Sequence, residues 1–383
     1  WELGMLSIIT IAVMQYKNVH EYLEEFNPTI KNFALISTFS MVAIAIMGRP
    51  QTFIYYGFWN MDRVIKFKTW SYLFMTTLLL FVLFISITNL YYDHYQVFKL
   101  NLSGKEPINS NQRFNKIEYL DQNIGKYNGF LLGSSRMGHF PIEYVNKHAG
   151  ERKSFYNLNM FSAVPEDYLK TLKYLKKSGH PIEEVIIGID IFPLFNPPDV
   201  NRPAFRHHPN ITGKSRFEYL LDYLFQTSFF YLFTEAGYYF GEEPIIYQHD
   251  FTTGRYYPHR SIKSIQENPG LYWANQLAQA DTKITSLQNN SQKINPKQKE
   301  DLERLLAWLD EQEINYKVFI QPTHPKEQAL YSAEKELLIN DLKQYEIIRI
   351  KRIQKILQYN TNFYDLMHYK PVVAKAIIDY LYE

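Results

Sequence analysis

The sequence predicts an α/β fold in which a parallel sheet is covered by helices on both faces, preceded by transmembrane helices. Two observations predict it. Short β-rich apolar runs alternate with helical patterns through the last two-thirds of the chain, and apolar residues crowd into positions 1–90 while the remainder has the composition of a globular protein rich in Tyr and Phe.

The membrane elements come first. From Thr69 to Leu90 the chain carries no charge over about 20 residues, the length that crosses ~30 Å of hydrocarbon as a helix. Phe33–Met47 is also uncharged and reads as a shorter span. Leu3–Met14 is shorter still, in the range where a buried soluble helix competes with a truncated span. Arg49, Arg63, Lys66 and Lys68 lie between the second and third spans, whereas Glu21, Glu24 and Glu25 with Lys17 and Lys31 join the first two. The positive-inside rule therefore makes the Arg49–Lys68 loop cytoplasmic and puts everything after Tyr91 outside. A cleaved signal is the alternative for the first span, but no positive n-region or small-residue cleavage site is present. The chain does not begin with Met and reads as a piece of something longer.

The outer domain follows. Residues 93–126 are polar and read as a spacer ending in a short helix, and the domain proper runs over 127–383. Strands are expected at Gly129–Gly133, Phe155–Met160, Val185–Ile191, Tyr316–Gln321 and Asn362–Tyr364, and helices at Pro165–Ser178, Lys299–Glu311 and Pro371–Tyr382. Residues 192–268 break this rhythm and read as a partly helical insertion between the third and fourth strands. Their aromatic run suits a core, or a surface resting near the membrane, better than a cofactor site.

Composition excludes some function classes. In 383 residues, 41 Lys and Arg face 39 Asp and Glu, so no long-range field favours nucleic acid. With no cysteine there is no disulfide, no thiolate metal site and no Cys nucleophile, in any compartment. His207-His208 lacks a third ligand at sensible spacing, so no metal is expected.

Two motifs sit where open parallel sheets gather their functional residues, at the carboxyl ends of strands. Phe130-Leu-Leu-Gly-Ser-Ser-Arg runs an apolar strand straight into Gly133-Ser134-Ser135, a turn that can expose a hydroxyl nucleophile and aim its N–H at a developing oxyanion, or can simply cap a helix. Tyr364-Asp365-Leu-Met-His368 leads into the terminal helix. Its spacing lets Asp365 orient an imidazole that takes a proton from the serine, although a capping Asp beside a surface His has the same spacing. Arg136, next to the nucleophile, either pairs with a carboxylate, by default at the surface, or contacts an anionic polymer. His324 ends the fourth strand and either binds substrate or closes a turn.

The two motifs together, Gly-x-Ser after the first strand and Asp-x-x-His before the last helix, resemble the first and fifth blocks of the SGNH/GDSL hydrolase superfamily over roughly residues 125–383. The resemblance implies a flavodoxin-like three-layer α/β/α fold with Ser135 as nucleophile, His368 as general base and Asp365 as its orienting partner. The departures are specific. Ser134 stands where the family usually has Asp, a feature similar to D-alanine transfer proteins of teichoic acid modification and polysaccharide O-acetylation partners. The block-two Gly, an oxyanion N–H donor, falls at Asn159. The block-three Gly-x-Asn is not visible; the third strand ends in Gly188-Ile-Asp190 instead, and an ionised carboxylate cannot donate. Asn159 and Asp190 therefore suit a structural role as well as an oxyanion one.

Residues 1–60, closing on GRPQTFIYYGF (Gly48–Phe58), resemble the last helices of bacterial membrane-bound O-acyltransferases. The catalytic His of that family would lie upstream, so no activity is carried onto these residues. The next segment, residues 61–92, holds basic residues and the third span. It opens with MDRVIKFK like a separate single-pass protein, which suggests a fusion or a joined reading frame, and a generic membrane anchor gives the same topology. Taken together, the resemblances imply a serine-dependent O-acyltransferase on the bacterial cell membrane, with its SGNH-like domain extracytoplasmic. Its acceptor would be a cell-surface or exported polysaccharide, its partner a membrane-bound O-acyltransferase, and it would need no cofactor. An SGNH esterase or deacetylase, or a non-catalytic scaffold for the acyltransferase, are the alternatives.

Overall fold

The computed structural model describes residues 62–383 apart from 101, 289–292, 329–331 and 351. The expected spans at Leu3–Met14 and Phe33–Met47 and the acyltransferase-like segment 1–60 lie outside the described residues. The chain divides into two compact units.

The smaller unit is built on helix α1, Asp62–Tyr92, together with Phe98–Lys105 and Arg216–Tyr239. Among the described residues α1 alone is long and apolar enough to cross a membrane, over the 22 residues Ser71–Tyr92, about 33 Å at helical rise. Three of its hydroxyls are satisfied inside the helix: Thr77, Ser86 and Thr88 donate to carbonyls one turn back at 2.8, 2.9 and 2.7 Å, which lowers the cost of these polar groups in an apolar setting. Leu79, Leu80, Leu83 and Ile87 are exposed. Near its end the Asn89 amide donates to the carbonyls of Tyr223, Leu224 and Gln226. Phe81 and Phe84 meet the edge of Phe229 at 6.0 and 5.9 Å. The aromatic run of the insertion thus forms a small core with this helix.

The larger unit is the α/β domain. Its strands are β1 (Gly129–Gly133), β2 (Phe155–Asn157), β3 (Glu184–Ile189), β4 (Gln248–Asp250), β5 (Arg255–Tyr257), β6 (Asn315–Ile320) and β7 (Ile347–Ile348). Five of them form one all-parallel sheet in the order β2-β1-β3-β6-β7, while β4 and β5 pair as an antiparallel hairpin. Both faces of the sheet are buried. Alternate residues Phe130, Leu132, Val185, Ile187 and Val318 face helices α2 (Gln112–Asp121), α4 (Pro165–Lys177) and α5 (Pro296–Glu311). Leu131, Phe155, Ile186 and Phe319 face α3 (Ile142–Ala149) and α6 (Pro371–Tyr382). This is a three-layer α/β/α arrangement, and each fully buried Leu or Ile contributes roughly 1.5–3 kcal/mol.

Local chemistry explains the elements. α4 opens with Pro165 at its first position and Glu166 and Asp167 in its first turn, closes on Lys176 and Lys177, and buries Leu169, Leu172 and Leu175 along one stripe. α2 looks polar, yet Gln112, Arg113, Asn115 and Lys116 are all buried beside Phe114, Ile117 and Leu120. It belongs to the core of the larger unit, which corrects the expected domain start at Tyr127. Arg113 grips Asp167 through Nε and Nη2 at 3.2 and 2.6 Å, and His207 Nε2 lies 3.0 Å from the same carboxylate. Burial alone would raise Asp167, but Arg113 and His207 hold it well below the usual carboxylate range.

Two further expectations change. The fifth strand is β7 and not Asn362–Tyr364, where Phe363 makes a single bridge to Tyr369. Full burial of Phe363 gave that run its strand-like look, whereas the two-residue β7 is too short to show a pattern. The insertion between β3 and β6 runs past residue 268 into helix Pro269–Gln288 and contains the β4–β5 hairpin. The hairpin turn is built by Asp250, which accepts from Thr252 N and from the hydroxyls of Thr252 and Thr253 at 2.9, 2.6 and 2.7 Å, and by Gly254 at φ +78°.

Candidate active site

The sheet order places β1 and β3 side by side with connections leaving in opposite senses, so a crevice opens at their carboxyl ends. β1 ends there at Gly133. A side chain on Gly133 would lie 2.1 Å from Met137 Cγ, so only glycine allows the chain to fold back tightly into the 3-10 turn Ser135–His139. Every residue from Gly129 to Ile142 is buried except Ser135.

The hydroxyl of Ser135 lies 2.7 Å from His368 Nε2. On the other side of the ring, Nδ1 lies 2.9 and 2.8 Å from the two Asp365 oxygens. A carboxylate only accepts, so Nδ1 carries the hydrogen and Nε2 is left to accept from the serine. Asp365 Oδ1 also accepts the backbone N–H groups of Met367 and His368 at 2.7 and 2.8 Å. Burial pushes the Asp365 carboxyl upward, but the His368 charge and these hydrogen bonds outweigh it and hold it down at about 2. The loop itself is closed by Tyr364 N to His368 O at 2.7 Å and by His324 N to Leu366 O at 3.0 Å. Ser135, His368 and Asp365 are thus brought together as the two motifs anticipated.

The other anticipated residues are placed differently. Arg136 is buried, not at the surface, with Nη1 2.6 Å from Asp190 Oδ1. Asp190 also accepts from Ser134 Oγ and, at 3.0 Å, from Gln321 Nε2. It therefore ties both chain neighbours of Ser135 to the end of β3 and is a positioning residue, not an oxyanion donor. Gln321 in turn donates to Gly188 O at 3.1 Å and accepts from the Tyr369 hydroxyl at 2.7 Å. One buried chain, Ser134–Asp190–Gln321–Tyr369, so links the serine turn to the residue after His368. His324 closes a turn: Nε2 bonds Asn360 Oδ1 at 2.9 Å and Nδ1 accepts from Lys326 N at 3.3 Å. With both ring nitrogens engaged, it has no free group for substrate. His208 bonds Glu118 at 2.8 Å.

Asn159 is fully buried, and its N–H, the donor expected at this position, is engaged by Asn157 Oδ1 at 3.1 Å. Its side chain offers a donor instead. Lys116 Nζ donates to Asn159 Oδ1 at 2.8 Å, which fixes the amide orientation and leaves Nδ2 buried without a partner. That Nδ2 abuts Gly138 in the serine turn, 3.1 Å from where a β-carbon would stand. Asn157 Nδ2 bonds Met137 O at 2.6 Å and holds the same turn against β2.

Behind the catalytic-type histidine lies His139, whose ring centre is 6.1 Å from that of His368 and whose Nε2 is 2.9 Å from the Tyr256 hydroxyl. Burial first, and the His368 charge second, pull His139 well below its ordinary range, so it is neutral. Lys116, Gln321, Tyr369, His139 and Tyr256 carry no motif, and sequence reading misses them. Comparison with family models, curated proteins and solved structures finds no match to the chain.

Proposed function

We propose that the larger unit is a flavodoxin-like SGNH-type domain that transfers an acyl group, acetyl, through Ser135. The observation that carries this reading is the Ser135–His368–Asp365 hydrogen-bonded chain at the carboxyl end of β1, with Ser135 half-buried in an otherwise buried turn. The second-first-third-fourth-fifth order of the sheet strands supports it, as that is the flavodoxin-like order. The apolar α1 supports anchoring at a membrane, with the domain on the extracytoplasmic side and a membrane-bound O-acyltransferase as the donor partner.

In this mechanism Ser135 Oγ attacks the acyl carbonyl as His368 Nε2 takes its proton, while Asp365 stabilises the imidazolium. The oxyanion is met by the Ser135 N–H and the Asn159 amide. The carrier oxygen leaves with the proton from His368, and an acyl ester remains on Ser135. A sugar hydroxyl then loses its proton to His368, attacks the ester carbonyl and releases Oγ, which regains the proton.

The test is intact mass of the chain, wild type and Ser135→Ala, after incubation with an activated acetyl ester. A Ser135-dependent acetyl adduct that passes to a polysaccharide acceptor is the expected result. Decay to free acetate alone would mean an esterase, and no adduct on folded protein would mean a scaffold. Asn159→Ala is expected to slow adduct formation about 100-fold or more with Ser135 still present. An unchanged rate would remove Asn159 from the oxyanion site.

A further inference from the structure

Part of the insertion runs alongside the apolar length of α1. Leu78, Phe81, Val82 and Ile85 recur at three- and four-residue spacing and pack with Phe229 and Phe230. Leu78 and Ile85 stand between about two and four helical turns before Tyr92, where the apolar span ends, and so about 10–20 Å back from that end. In the anchored protein this stretch of α1 lies within the hydrocarbon, and the insertion segment packed on it shares its depth.

The composition and backbone of the segment suit that depth. Tyr223–Thr234 carries no charged residue, with Asp222 and Glu235 on either side, and Phe225 and Phe233 are exposed, Phe233 at 71%. The backbone is broken between helix Arg216–Leu224, the 3-10 turn Thr227–Phe230 and the helical turn Tyr231–Thr234. At a helix end in water the last carbonyls can be left to solvent, whereas in hydrocarbon an interrupted backbone persists only where protein groups satisfy it. Here the buried Asn89 amide of α1 serves the carbonyls of Tyr223, Leu224 and Gln226 at 3.1, 2.9 and 2.6 Å. Beyond it, Tyr92 meets Tyr91 and Tyr239 at 4.9 and 4.7 Å between ring centres, the residue type that gathers where a membrane meets water.

We infer that residues 223–234 enter the bilayer beside α1, in the half that holds its Tyr92 end, with Phe225 and Phe233 among the acyl chains. The partner this surface fits is lipid. A segment in water would account for the packing on α1, but not for exposed phenylalanines beside carbonyls that protein groups already hold. Over the same stretch Leu79, Leu80, Leu83 and Ile87 of α1 are exposed as well, and apolar surface on both elements suits a surrounding solvent better than one docked face. The inference rests on the membrane-anchored part of the proposed function and is independent of acyl transfer.

The chain has no cysteine, so Phe225→Cys, Phe233→Cys and, on α1, Leu80→Cys each provide a single site for a polarity-sensitive fluorophore. The full chain is placed in phosphatidylcholine nanodiscs, one chain to a disc, with circular dichroism to verify folding. Quenching is compared for nitroxide on the lipid headgroup, nitroxide on the acyl chain and a water-soluble quencher. Labels at both phenylalanine positions are expected to be blue-shifted, quenched more by acyl-chain than by headgroup nitroxide and shielded from the aqueous quencher, as for side chains about 5–10 Å below the headgroups. Leu80→Cys reports on α1 itself. If acyl-chain nitroxide quenches Leu80→Cys while the phenylalanine labels stay open to the aqueous quencher, the segment stands clear of the bilayer; the inference is overturned and the anchor is not. If Leu80→Cys is open to water too, α1 does not span and both fall. Phenylalanine labels shielded only in discs that hold two chains would show that a second copy covers this surface, which also overturns the inference.

Discussion

Asp365→Asn is expected to leave the fold intact and to slow acylation of Ser135 by about 10³–10⁴-fold. The reason lies in which oxygen is already held. Asp365 Oδ1 accepts the N–H groups of Met367 and His368, so an asparagine keeps its carbonyl oxygen there and turns its NH₂ toward the ring. Nδ1 then meets a donor at its 2.8 Å contact and keeps only the 2.9 Å contact to Oδ1, which favours moving the hydrogen to Nε2, and in that tautomer the imidazole cannot take a proton from Ser135 Oγ 2.7 Å away. Rates of mass-adduct formation, with circular dichroism to verify folding, measure the effect. A loss of less than tenfold would mean that Asp365 only shapes the loop.

The same carboxyl sets an expectation for pH. Its value is depressed from 3.8 to about 2 in the folded protein, so its stabilising contribution is fully present above the unfolded value and is lost as pH falls through the folded one. Acid inactivation setting in well above pH 4 is therefore expected to come from groups other than Asp365. The unfolding free energy of the wild type followed from neutral pH down to about pH 1.5 checks this, because the part of the loss due to Asp365 should fall below pH 4.

The triad was legible because each half is a local pattern at a strand end: Gly-Ser-Ser after an apolar run, Asp-x-x-His before a helix. The strands β1, β3 and β6 were legible for the same reason, as runs of apolar residues long enough to recognise. What holds the triad in place was not. Lys116 sits in a helix whose polar sequence reads as a solvated face, yet it is buried against the carbonyls of Asn157 and Gly254. Gln321 and Tyr369 act only because β6 and the final loop meet in space. Asp190 stands out in the sequence only by its place in a block pattern, and its ion pair with Arg136 depends on two strands becoming neighbours. Nothing within a few residues of any of these encodes the contact, whereas the tight turn at Gly133 is encoded by one missing side chain.

Asp190→Ala is expected to have the second large effect, on stability and rate together. The substitution leaves the Arg136 guanidinium buried with its 2.6 Å partner gone, and it strips the acceptor from Ser134 and Gln321. Breaking a buried pair from one side typically costs about 3–5 kcal/mol, because the remaining charge stays desolvated. A denaturant midpoint shifted by that amount is the first readout. The second is acylation under conditions where the variant is still folded, since the residues before and after Ser135 lose a shared anchor and the hydroxyl is no longer held at its distance from His368. Asp190→Asn separates the contributions: it keeps an acceptor for Ser134 while removing the charge, so it should lose stability through Arg136 and retain more of the rate than alanine. If Asp190→Ala matches the wild type in stability, the ion pair is offset by its own desolvation. If it matches in rate, the turn is held by Asn157 and by the packing of Met137 against Gly133 and Gly188, and Asp190 is a component of the core alone.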